Sequence, residues 1–227
     1  MPSKNEVKIY VENGYYHIYN RGVEKRNIFE DKQDCSVLLS YLKTYLLPKN
    51  TRQLQERLVD PNIGYKEKDK IIKLLRLNNF ANEITLLAYT LAPNHYHLLI
   101  KQKSAYAINK FLNSLITRYS MYFNKKYQRV GPLFQGVYKA VLVETDEQLL
   151  HLTRYIHLHF FENGKRYPSS YQNYLGLISQ EWVKLQEILS FFKTTQKTSL
   201  KDVLSYQTFI EDSKRDSAEI LKALILE

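Results

Sequence analysis

Residues 83–102, EITLLAYTLAPNHYHLLIKQ, constrain the fold of this chain more than any other stretch. Apolar and aromatic residues fill it, with one interruption at Ala92-Pro93-Asn94. Runs of this composition bounded by turn residues read as strands, and the interruption makes them a hairpin. The second strand carries His95 and His97. Residues i and i+2 of a strand share a face, so both imidazoles project together while Tyr96 and Leu98 project to the other side. Two imidazoles on one face are either two separately hydrogen-bonded polar groups or two ligands of one ion.

The charge pattern bears on the partner. The chain holds 33 Lys and Arg against 23 Asp and Glu, a formal net charge of +10 in 227 residues, which favours an anionic partner. Its distribution says more. No acidic residue occurs between Glu83 and Glu144, whereas Lys101, Lys103, Lys110, Arg118, Lys125, Lys126, Arg129 and Lys139 do. Tyr106, Tyr119, Tyr122, Tyr127 and Tyr138 are interleaved with them. Cations meet phosphates and rings stack on bases, so the stretch suits a nucleic acid. The competing reading is a solvated helix face whose acids lie elsewhere. From Lys201 onward the chain is richer in acids, which argues against that end as the main binding surface. Cys35 is the only cysteine, so no disulfide framework or cysteine zinc site is available, as suits a reducing cytoplasm. The start, MPSKNEVKIY, lacks the apolar core of a signal peptide, and no run of 18 apolar residues spans a membrane.

The remaining elements follow from periodicity. Residues 15–22, YYHIYNRG, read as a strand before a turn. Residues 31–47 carry apolar positions at helical spacing and stop at Pro48. Residues 48–82 are charged and read as a helical insertion of one or two short helices. Residues 105–127 form a long amphipathic helix, GPLFQGVYKAVLVE a turn and a strand, and TDEQLLHLTRYIHLHFFENG a helix capped by Thr145 and ending before Gly164. YPSSYQNYLG reads as a loop, and the tail from Glu181 as helical with a polar break near Thr194–Thr198. The order predicts an α+β fold, the ferredoxin-like βαββαβ arrangement with an antiparallel sheet, then a late helix and a C-terminal helical tail. The expected division is a domain over 1–176 and a tail over 177–227. Such a fold hosts many functions and decides none.

The late helix completes the histidine question. Helical residues four apart share a face, so His151, Tyr155 and His159 form one stripe, and Leu149, Leu152, Ile156 and Phe160 form another that faces the core. His157 lies away from Tyr155. Two strand histidines, a helical tyrosine and a histidine one turn later are a set that can hold a divalent ion with positions left for substrate oxygens. A phenol has an ordinary pKa near 10 and needs such help to attack phosphorus. Each histidine taken singly reads more simply as a hydrogen-bonded structural residue. The conjunction with the cationic stretch is what points to chemistry.

The segments PNHYHLLI, YFNKKYQRVGPLFQGVYKA, LLHLTRYIHLHF and YPSSYQNYLG, in this order, closely resemble the REP-associated tyrosine transposases, relatives of the HUH-type single-tyrosine transposases. The similarity covers roughly residues 10–176. It implies that His95 and His97 bind Mg²⁺ or Mn²⁺, that Tyr155 is the nucleophile, and that His159 is the further metal ligand. It also implies cleavage of single-stranded DNA through a 5′-phosphotyrosine with release of a 3′-OH. The chain departs from the family in three places: His159 stands where Asn is usual, Phe160 where Pro is usual, and the 48–82 insertion is longer. A third imidazole suits Mn, Zn or Ni better than Mg.

These observations lead to a metal-dependent single-stranded DNA endonuclease and strand transferase. Tyr155 is its nucleophile, His95, His97 and His159 its metal ligands, and the eight cations between residues 101 and 139 its DNA contacts. Its partners are single-stranded or hairpin DNA and no membrane, and a homodimer stays open. The alternative is a non-catalytic DNA- or RNA-binding module on the same fold. A small-molecule metalloenzyme fits the cationic bias least.

Overall fold

The structure, a computed structural model, describes residues 10–158, 161–162, 165–192 and 206–211. Strand β1 (Tyr15–Arg21) is followed by helices α1 (Lys32–Leu46), α2 (Thr51–Leu58) and α3 (Tyr65–Arg76), then by the hairpin β2 (Ile84–Ala92) and β3 (His95–Gln102). Helix α4 (Ala107–Lys126), strand β4 (Lys139–Val143) and helix α5 (Asp146–Leu158) complete the motif. The four strands form one sheet in the order β2-β3-β1-β4, every neighbouring pair antiparallel. This is the expected α+β arrangement.

Strand alternation divides the side chains between two cores. Tyr16, Ile18, Tyr96, Leu98 and Ile100 face α1 and α4, where Leu38, Leu42, Tyr45, Ile108, Phe111, Leu112, Leu115, Tyr119 and Phe123 cover them. Leu99 and Val143 face the other way, with Leu87 and Ala88, which a register shift between Leu86 and Ala88 turns to that side. Leu149, Leu152 and Ile156 of α5 close this second core together with Tyr171, Tyr174, Ile188, Tyr206 and Ile210. Each fully buried aliphatic or aromatic side chain contributes about 1.5–3 kcal/mol, so both faces of the sheet are firmly held.

Local chemistry fixes the element ends. Asp31 caps α1 by accepting from the backbone N–H of Asp34, whose carboxylate accepts in return from the N–H of Asp31. Asp34 is buried and also accepts from Tyr122 Oη, Tyr127 Oη and Lys126 Nζ at 2.8–2.9 Å, which ties α1 to the end of α4. Thr145 Oγ1 accepts from the N–H of Gln148 and caps α5, as the sequence predicts. Between β1 and the hairpin, Lys49 Nζ donates to the carbonyls of Leu74, Leu75 and Leu77 at the end of α3, where a helix exposes unpaired carbonyls.

The chain after α5 differs from expectation. Helix α5 is described to Leu158 rather than running on towards Gly164. Beyond it, β5 (Phe161–Glu162) pairs with β6 (Lys165–Arg166). The stretch read as a loop contains one helical turn, α6 (Tyr171–Tyr174). The tail contributes α7 (Gln186–Leu189) and a helical segment over 206–211. Trp182 and Val183 join the first core, and Ile188, Tyr206 and Ile210 the second, so these five tail residues are built into the sheet's two faces. The predicted break at 194–198 and the core position predicted for Phe160 lie outside the described residues.

Candidate functional site

The site lies on the α5 face of the sheet, and β1 builds it as much as β3 does. The register pairs Tyr19 with His97, Arg21 with His95, and His17 with Leu99, so His17, Tyr19, His95 and His97 project to one side. The β2–β3 turn is pinned by the segment after β1. Gly22 N–H donates to Asn94 O, and the N–H groups of Ile28 and Phe29 donate to Pro93 O. Position 22 admits only glycine, because a Cβ there would lie 2.1 Å from Arg26 O. This anchoring sets where His95 leaves the turn.

Both histidines of the pair are oriented by a partner at Nδ1. His95 Nδ1 lies 2.6 Å from Asn94 Oδ1, an acceptor, so Nδ1 carries the proton and donates. His97 Nδ1 lies 2.8 Å from His17 Nε2, and both rings are buried. The His95 and His97 rings stand nearly perpendicular, centroids 5.1 Å apart. Across the register from His97, the hydroxyl of Thr90 is buried and has no hydrogen-bond partner among the described residues.

Helix α5 brings Tyr155 onto this cluster. Its half-buried ring meets His97 edge-on at 5.4 Å and 90°, and His17 at 6.2 Å and 80°. Tyr19 stacks on His17 at 4.7 Å, and Lys139 Nζ lies over the Tyr19 ring at 5.5 Å. The neighbours of Tyr155 anchor the helix. Arg154 Nε donates to Phe209 O at 2.7 Å, and its guanidinium lies over the Phe209 ring at 3.7 Å. His157 takes Tyr206 Oη at Nδ1 (2.6 Å) and Ser170 Oγ at Nε2 (2.8 Å). Burial pushes the His157 imidazole down to about 3, so it is a neutral structural group. His151 accepts from Arg154 at 3.4 Å.

A metal fits the histidine pair chemically. A proton on Nδ1 leaves the lone pair on Nε2, which is how imidazole binds a cation. Among the described residues no three His, Cys, Asp or Glu side chains are grouped to hold an ion, and His159 lies outside them.

The eight predicted DNA-binding cations do not share one surface. Lys139 stands at the cluster, and Lys101 on the same face is paired with Glu187 at 2.9 Å. Lys110, Arg118, Lys125 and Lys126 sit on α4, across the sheet from Tyr155. There Lys126 is paired with Asp31 and Asp34, and Arg118 lies over the Tyr41 ring at 3.8 Å. Arg129 donates to Asn124 Oδ1, and Lys103 is exposed beyond β3. Tyr138, another tyrosine near the site in sequence, belongs to the first core. Burial raises its pKa, and its hydroxyl is hydrogen-bonded to Tyr10 at 2.7 Å.

Sequence reasoning missed His17. It reads as one more residue of an aromatic strand, and only its register opposite β3 reveals the contact. The polar residue on the inner face of β1 was the available signal.

The antiparallel βαββαβ sheet thus brings two histidines of β3 and a tyrosine of the late helix α5 to one face. Residues 60–159, which carry His95, His97 and Tyr155, match the family described as "Transposase IS200 like". Among solved structures the chain is similar to a REP-associated tyrosine transposase bound to a REP hairpin, at 8% identity over 80% of this chain and 97% of that one, with a TM-score of 0.44. It is also similar to a protein from Deinococcus radiodurans described as a candidate transposase, at 13% identity over 73% of this chain and 99% of that one, with a TM-score of 0.27. No curated protein matches the chain. No helix among the described residues is long and apolar enough to cross a membrane.

Proposed function

We propose that this protein is a metal-dependent endonuclease and strand transferase acting on single-stranded or hairpin DNA. The observation that carries the reading is the edge-on approach of the Tyr155 ring to His97, 5.4 Å between centroids, on a sheet face where His95 also projects. Tyr155 Oη attacks the scissile phosphorus. The P–O3′ bond breaks as the P–Oη bond forms, the phenolic proton leaves to solvent, and the 3′ oxygen takes a proton from solvent and departs as a hydroxyl. The 5′ end stays on Tyr155, and the phosphotyrosine keeps the bond energy for attack by another 3′-OH. Mg²⁺ or Mn²⁺, held by His95 and His97 with His159 as the third ligand, would neutralise phosphate charge there. Lys139 adds a cation beside Tyr19 that suits a backbone phosphate.

The test is incubation with single-stranded and hairpin oligonucleotides from the flanks of its own gene, with and without Mn²⁺. A denaturation-resistant protein–DNA adduct that needs Mn²⁺, and that His97→Ala abolishes, supports the reading. DNA binding with no adduct under any metal would make the protein a non-catalytic binding module.

A further inference from the structure

We infer that His17 is a positioning residue for the metal-binding histidine His97: its Nε2 accepts the Nδ1 proton of His97 and thereby keeps the Nε2 lone pair of His97 for a divalent cation. The inference rests on the metal-dependent reading above and goes beyond it, because His17 precedes the segment matched to the transposase family, residues 60–159.

The geometry is specific. His17 Nε2 and His97 Nδ1 are 2.8 Å apart, and the rings lie within 16° of parallel with centroids 5.1 Å apart. One nitrogen must donate and the other accept. If His97 is a neutral ligand through Nε2, its Nδ1 carries the proton, and His17 Nε2 is then the acceptor. Histidine ligands characteristically have their other nitrogen held by such a partner, which fixes tautomer and ring orientation and raises basicity. His95 has the equivalent partner in Asn94 Oδ1. The two histidines are thus oriented alike, one from its own turn and the other from the neighbouring strand.

The surroundings explain why an imidazole serves here. His17 is 0% exposed, under α5 and between Tyr19 and Tyr155. A buried polar ring is costly unless hydrogen-bonded, and the contact with His97 Nδ1 at 2.8 Å supplies one such bond. A role in ring packing alone would be kept by phenylalanine, an aromatic ring of similar size with no acceptor. The two roles therefore separate experimentally.

The full-length protein is labelled with ¹⁵N-histidine, and the metal-free tautomer of His97 is read from two-bond ¹H–¹⁵N correlations. Mn²⁺ affinity is measured without DNA for wild type, His17→Phe and His17→Gln. The inference expects the Nδ1–H tautomer of His97 in wild type. It expects Mn²⁺ affinity to fall roughly 10–100-fold in His17→Phe, and most of it to return in His17→Gln, whose amide oxygen can accept. A His97 proton found on Nε2 in wild type overturns the inference whatever the variants do, including one that fails to fold. Equal Mn²⁺ affinity in wild type and His17→Phe overturns it while leaving the nuclease reading standing. A wild-type protein that binds no Mn²⁺ overturns both, and the titration shows this before any variant is made.

Discussion

Tyr206→Phe tests whether the C-terminal segment holds the helix that carries Tyr155. The hydroxyl is 2.6 Å from His157 Nδ1, with Tyr206 0% and His157 1% exposed. Phenylalanine keeps the ring and its packing against Tyr174 (4.6 Å, stacked) and Phe192 (5.3 Å). The change therefore isolates one hydrogen bond and leaves a buried imidazole nitrogen without its partner. Such a loss costs about 1–3 kcal/mol. For a chain of this size each kcal/mol moves Tm by about 2–4 °C, so a fall of about 2–12 °C is expected. Thermal and urea melts measure it, with Tyr106→Phe as the control at an exposed ring that should change nothing. Adduct yield with single-stranded DNA, assayed well below Tm, should drop more than DNA binding does, because α5 is loosened and the phosphate contacts are not. A Tyr206→Phe protein that melts like wild type would refute the anchoring argument.

Two other predictions follow from the same contacts. Burial would raise the Asp34 carboxyl, but Lys126, the Glu30 N–H, Tyr127 and Tyr122 together outweigh it and hold it below the usual carboxylate range. Its contribution is therefore present above about pH 4 and lost as pH falls through the lower folded value. Asn at position 34 should lower stability by about 1.5–3 kcal/mol at pH 7, and urea melts should show that difference shrinking as pH drops below about 4. For DNA affinity, Lys139→Ala should flatten the log–log salt dependence by about 1, whereas Lys125→Ala, exposed on the opposite side of the sheet, should leave the slope unchanged when binding is titrated across salt.

Much of the framework was legible because it rests on local signals. The hairpin follows from an apolar run broken at Pro93-Asn94, α1 and α5 from Asp31 and Thr145 as caps, and the shared face of His95 and His97 from strand period alone. The approach of Tyr155 to His97 was inferable only because motif order pointed to it. What stayed hidden depends on long-range register and docking. His17 and His97 are 80 residues apart, and Tyr206 and His157 are 49 apart. The placement of the cationic stretch was hidden for the same reason. Spacing shows which cations exist, but not that α4 carries half of them to the far face, or that Lys126 is bound to Asp34 and Lys101 to Glu187.

The most direct test of the central claim is the identity of the residue that carries DNA. Wild-type protein is reacted with single-stranded DNA and Mn²⁺, the adduct is digested with nuclease and protease, and the modified peptide is sequenced by mass spectrometry. The account predicts a phosphonucleotide on Tyr155, absent from Tyr155→Phe while that variant still binds DNA. A nucleotide on any other tyrosine, or an undiminished adduct in Tyr155→Phe, would contradict it.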